Sequence, residues 1–97
     1  MIAGVAVTPL AEYADERGST LHMLRADGPG FSRFGECYFS EILPGAVKAW
    51  KRHRLQTQNI AVPWGRIRLV IYDDRETSLT RGDLDVLELG RPDSYRR

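Results

Sequence analysis

Ninety-seven residues with 42% hydrophobic content are enough for one compact domain with a small core. Fourteen Lys and Arg against thirteen Asp and Glu leave a net charge of +1, so no overall field draws the chain to nucleic acid or to a membrane surface. The only cysteine, Cys37, cannot close an internal disulfide, which points to a reducing cytoplasm and to a small buried hydrophobe at that position. No apolar run approaches ~18 residues, so no bilayer-spanning segment is expected, and Met1 to Val5 lacks the basic and long apolar regions of a secretory signal.

Taken in chain order, the punctuation predicts an all-β domain over residues 1–97. Val5 to Leu10 reads as a short edge strand ending near Pro9, and Asp15-Glu16-Arg17-Gly18 as a turn. Thr20 to Arg25 is a second short strand, followed by the loop Asp27-Gly28-Pro29-Gly30. Glu36 to Leu43 alternates imperfectly and is closed by Pro44-Gly45, after which Val47 to His53 and Asn59 to Val62 read as strands. Pro63-Trp64-Gly65 turns the chain into its strongest strand, Arg66 to Tyr72, where Ile67, Leu69 and Ile71 share one face. Asp73-Asp74-Arg75-Glu76 reads as a solvated turn, lacking the ligand alternation of a calcium loop, and Gly82 to Gly90 holds a last strand. No run of ten residues has helical periodicity.

One spacing stands out. Gly45, Lys51, His53, Gln58 and Gly65 keep the separations of the first motif of the cupin barrels, which runs Gly, His, His, Glu, Gly. The resemblance implies a cupin-type jelly-roll barrel, incomplete within these residues. On a strand, positions 51 and 53 point the same way and could converge on one ligand. With Lys51 and Gln58 in place of His and Glu, a single histidine remains of the three metal ligands, and no metal is expected.

A second resemblance is carried by a set of short strings: Asp15-Glu16-Arg17-Gly18, His22-Met23-Leu24-Arg25, Phe34-Gly35-Glu36, Tyr38-Phe39-Ser40, Pro44-Gly45, Lys48-Ala49-Trp50, and Tyr72-Asp73-Asp74-Arg75 with Ser78. As a set they resemble the first half of dTDP-4-dehydrorhamnose 3,5-epimerase-like proteins, metal-independent cupins that act on nucleoside-diphosphate sugars. The resemblance implies a carbohydrate isomerase active without a cofactor, a homodimer, and a pocket in which cations hold two phosphates while a base and an acid move protons next to a ketone.

Carried over by position, Arg17 keeps a phosphate role and Lys48 replaces the family's second phosphate-binding Arg. Glu36 and Tyr38 stand where a Gln and an Asn are found on the family's next strand, and are either substrate-binding or a cross-strand packing pair, while Lys51 replaces the catalytic His. Thr20 and His22 replace a Phe and a Glu that help hold the nucleobase, while the family's tyrosine acid and the aspartate that orients its base have no counterpart in these residues. His53 is then either a surviving base or an outward histidine in a basic edge. Lys51 is either a base with a depressed pKa or a plain anion-binding lysine. The basic run Lys51-Arg52-His53-Arg54 is too short and too poor in stacking aromatics for nucleic acid. Trp64 is expected to be buried near its turn, and Trp50 either buried or stacked on a ring. The partner expected is a nucleotide-linked or phosphorylated sugar, bound either by an epimerase, by a non-catalytic binding cupin, or by a piece of a longer epimerase-like protein.

Overall fold

A computed structural model describes all 97 residues. Four strands are present, β1 (Glu12–Asp15), β2 (Gly18–Leu21), β3 (Arg66–Tyr72) and β4 (Leu84–Gly90), and there is no helix. They form two separate antiparallel ribbons, β1 with β2 and β3 with β4. The chain is therefore all-β, as its turn residues predict. No helix is long and apolar enough to cross a membrane.

The β1–β2 hairpin turns where Asp15 can fold back on itself. Its Oδ1 accepts the Arg17 backbone N–H at 2.8 Å, an Asx turn that sets Asp15 opposite Gly18. The expected strand at Thr20 to Arg25 is shorter and earlier than its apolar residues suggest, because this turn fixes pairing from Gly18 and the ladder ends at Leu21, after which the His22 and Met23 carbonyls accept from Tyr95 and Arg97 side chains.

The β3–β4 ribbon carries the main apolar face. The register sets Ile67 opposite Leu89 and Leu69 opposite Leu87, and Asp85 lies opposite Ile71. Leu89 is 2% exposed, and with Ile2 and Tyr95 it makes the small core. Both termini are folded onto this unit. Thr8 and Arg97 exchange backbone hydrogen bonds at 2.9 Å, and the Leu10 N–H donates to the Tyr95 carbonyl. The predicted Val5–Leu10 strand is thus reduced to a single bridge between Pro9 and Arg96, since Pro9 has no N–H to extend a ladder.

Of the turn expected at residues 73–76, Asp74, Arg75 and Glu76 are exposed, but Asp73 is buried. The Asp73 carboxylate is fully enclosed and accepts from Arg75 Nε at 2.8 Å, Ser78 Oγ at 2.6 Å and Thr80 Oγ1 at 2.6 Å. These partners hold its pKa well below the usual carboxylate range, Arg75 contributing most, then the Ser78 and Thr80 hydroxyls. The same loop clasps the N-terminus. Ala3 N–H donates to Thr80 Oγ1, Arg75 Nη2 donates to the Ala3 carbonyl, and Ile2 N–H donates to Asp85 Oδ2.

The largest departure lies between the two ribbons. Glu36 to Leu43, Val47 to His53 and Asn59 to Val62 form no ladder. From Phe31 to Gly65 the only backbone hydrogen bond joins Ala46 N–H to the Leu43 carbonyl, closing a turn with Pro44 and a positive-φ Gly45 at its centre, the type II pattern. The residues have strand composition, but no strand of this chain lies beside them. For the same reason Cys37 is exposed rather than buried, and Trp64 is 92% exposed and Trp50 67%.

Candidate functional site

The cations singled out by the sequence sit on different supports. Arg17 projects from the β1–β2 turn, where its Nη2 meets Asp15 Oδ2 at 2.7 Å. This ion pair lowers the Asp15 pKa and raises that of Arg17. Both groups face solvent, with Arg17 84% exposed, so an anion can compete for the guanidinium at small cost. Around it Tyr13, Asp15, Gly18, Ser19 and Thr20 line a shallow, open hollow of about 250 Å³. Ser and Thr hydroxyls beside a guanidinium supply hydrogen-bond donors suited to phosphate oxygens.

Lys48 lies beyond the Pro44-Gly45 turn and donates from Nζ to Ser40 Oγ at 3.1 Å. The turn itself brings these two arms within reach, so Ser40 belongs to the site beside Lys48.

His53 and Gln58 also meet, at 3.1 Å between Nε2 atoms. Both residues belong to the spacing that runs Gly45, Lys51, His53, Gln58, Gly65. The contact sets the Gln58 amide against one ring nitrogen of His53. Arg52 turns the other way, to Asp74 at 3.2 Å, which ties the basic segment to the end of β3.

Lys51, Glu36 and Tyr38 are exposed and make no side-chain hydrogen bond or ion pair within the chain. Neither are Arg17, Lys48, Lys51 and His53 joined to one another by any hydrogen bond. No three His, Cys, Asp or Glu side chains converge to hold a metal ion. What the arrangement provides is two exposed cations, Arg17 near Ser19 and Thr20 and Lys48 on Ser40, and an imidazole in contact with an amide.

No family model matches the sequence. Curated relatives do. The spore coat polysaccharide biosynthesis protein SpsL of Bacillus subtilis is 37% identical over 90 residues, which is 93% of this chain and 60% of that protein. The probable low-salt glycan biosynthesis epimerase Agl13 of Haloferax volcanii is 41% identical over 91 residues, 92% of this chain and 58% of that protein. Among solved structures, a dTDP sugar isomerase from Desulfovibrio desulfuricans G20 superposes with a TM-score of 0.86 at 47% identity, covering 98% of this chain and 60% of the isomerase. The chain spans about three fifths of the length of each of these relatives. The resemblance carried by its short strings is the one these comparisons return, and over nearly all its residues the chain is similar to about three fifths of epimerase-like sugar isomerases.

Proposed function

We propose that the chain is a single cupin-like domain that forms part of an epimerase-like protein and holds a nucleoside-diphosphate sugar without a metal. The observation that carries this reading is the 47% identity over 98% of the chain to a dTDP sugar isomerase of the same backbone shape. Arg17 and Lys48 supply positive charge and, with the neighbouring hydroxyls, donors for the diphosphate. Glu36 and Tyr38 reach the sugar, and His53 is the candidate base, with Lys51 beside it as a second proton-handling or anion-binding group. The jelly-roll barrel closes only with further strands. A homodimer is part of the proposal, since two-stranded ribbons leave free edges for a second copy. So is a cytoplasmic location, which suits an unpaired Cys37 and a nucleotide-linked substrate.

A second reading, binding without turnover, is favoured by Lys51, which stands where the resemblance places the catalytic histidine. One experiment addresses both. The protein is mixed with dTDP-4-keto-6-deoxyglucose in D2O and followed by NMR. The proposal expects saturable broadening of the sugar-nucleotide resonances. Binding without turnover further expects no deuterium at the sugar carbons flanking the ketone above the protein-free rate, because loss of a general base removes ~100-fold to 10,000-fold of rate. Incorporation that His53→Asn abolishes makes His53 the base and the chain an enzyme, and absence of any broadening contradicts the proposal.

A further inference from the structure

The chain from His22 to Gly30 leaves β2 and forms no ladder, yet four of its carbonyls are held by side chains from elsewhere. Tyr95 Oη donates to the His22 carbonyl at 2.7 Å, Arg97 Nη1 to that of Met23 at 2.8 Å, Arg97 Nη2 to that of Pro29 at 2.6 Å, and Asn59 Nδ2 to that of Gly30 at 3.3 Å. One guanidinium thus joins both ends of the segment and closes it into a ring. The support under that side chain is firm, because the Arg97 backbone exchanges hydrogen bonds with Thr8 at 2.9 Å. The fit at the far end is close as well. Gly30 has φ of 82°, and a Cβ there would lie 3.2 Å from Arg97 Nη2 and 3.4 Å from Asn59 Oδ1. From Met23 to Gly30 the only backbone hydrogen bond is a turn, Gly28 N–H to the Arg25 carbonyl at 3.0 Å, with Arg25 and Asp27 paired across it. The Arg97 bonds lie at the surface, where water competes for both partners, so they open more readily than the β3–β4 ladder.

The segment borders the hollow around Arg17. His22 lies edge-on to Tyr13, with ring centroids 5.2 Å apart at 68°, and Tyr13 is a wall of that hollow beside Arg17, Ser19 and Thr20. On its other side, Met23, Leu24 and Pro29 face Thr8, Leu10 and Arg97 across a second hollow of about 130 Å³. That space gives the segment room to move. We infer that residues 22–30 are a strap latched by Tyr95 and Arg97, and that the latch sets the Tyr13 wall of the Arg17 hollow: latched, His22 braces the Tyr13 ring, and released, it leaves the ring free to swing. Tyr95 holds the near end at His22 and Arg97 holds the remainder. Neither side chain lines the Arg17 hollow, so both are positioning residues that act through His22 and Tyr13. The inference deepens the reading of Arg17 as a phosphate-binding residue, and its ligand arm rests on that reading.

NMR at matched pH reads the latch directly, because the chain has two histidines and the Tyr13 ring displaces the signals of His22 alone. Tyr13→Leu supplies the position of the His22 signals without that ring. The double variant Tyr95→Phe/Arg97→Met removes three donated bonds and keeps both apolar stems. In it the His22 ring signals should move at least halfway to the Tyr13→Leu position, and the Gly28 amide should exchange about tenfold faster or more. The β3–β4 amides should stay as protected as in the parent. His22 signals that do not move overturn the inference. So do β3–β4 amides that open together with the strap, because the two residues would then hold the fold rather than a latch. Affinity for dTDP-glucose is the second arm. The double variant should bind it roughly threefold to tenfold more weakly, from the cost of ordering a freed Tyr13 ring, and should add nothing to the loss caused by Tyr13→Leu. Losses that add in the triple variant overturn the link between strap and hollow. Absence of dTDP-glucose binding by the parent defeats the functional reading, while the His22 and Gly28 signals still decide the strap.

Discussion

Asp73 shows how much a single side chain can organise. One enclosed carboxylate accepts from Arg75, Ser78 and Thr80, and through Arg75 and Thr80 it fixes both the carbonyl and the N–H of Ala3. Its depressed pKa makes the clasp pH-dependent with a definite sign. The unfolded chain binds a proton near pH 4 and the folded chain only far below that. The stabilisation is therefore complete above about pH 4 and is lost progressively as pH falls below it. Acid titration of the wild type, followed by exchange of the Ile2 and Ala3 amides, should show opening that begins below about pH 4. Asp73→Asn, which keeps the shape and removes the charge, should open the clasp at neutral pH and flatten that dependence. Amides equally protected in both proteins at pH 7 would contradict the account. Arg17 and Asp15 form a pair of the same composition, yet both are solvent-exposed, so that pair leaves the guanidinium available to a ligand.

Among the elements, β3 and β4 make most of the chain's pairing, and their register depends on a glycine. Gly90 has φ of 143°, and a Cβ there would meet the Gly65 carbonyl oxygen and lie 2.8 Å from the Arg66 Cα. Gly90→Ala should therefore cost about 2 kcal/mol or more, from overpacking against backbone together with left-handed strain. Gly45→Ala meets no atom within 4 Å and should cost only the left-handed conformation, about 1 kcal/mol. Urea unfolding of the two variants checks the order, and equal losses would contradict it. The same elements show what could be read from residues alone. Arg66 to Tyr72 was legible to the residue because its alternation and the Pro63-Trp64-Gly65 turn agree, and Leu84 to Gly90 falls inside the stretch marked by Gly82 and Gly90. Glu36 to Leu43 and Val47 to His53 have strand composition as well, yet composition does not reveal whether a partner strand exists. The turn at Pro44-Gly45 was legible as well. The burial of Asp73 was not, because it depends on Thr80 and on an N-terminus more than seventy residues away in sequence.

At the scale of the whole molecule, an open, elongated chain of 50 × 36 × 23 Å keeps the backbone of a dTDP sugar isomerase while leaving its middle third uncovered. The same openness leaves Arg17 and Lys48 accessible, each beside hydroxyls that can share a phosphate oxygen. The central claim is that these two side chains hold the diphosphate of a sugar nucleotide. The most direct measurement is the phosphorus-31 spectrum of dTDP-glucose titrated with the protein. The account predicts that both phosphorus resonances shift saturably, that salt weakens the effect, and that Arg17→Ala and Lys48→Ala each weaken binding by roughly tenfold or more. Resonances unmoved by excess protein, or shifted equally by the doubly substituted variant, would contradict it.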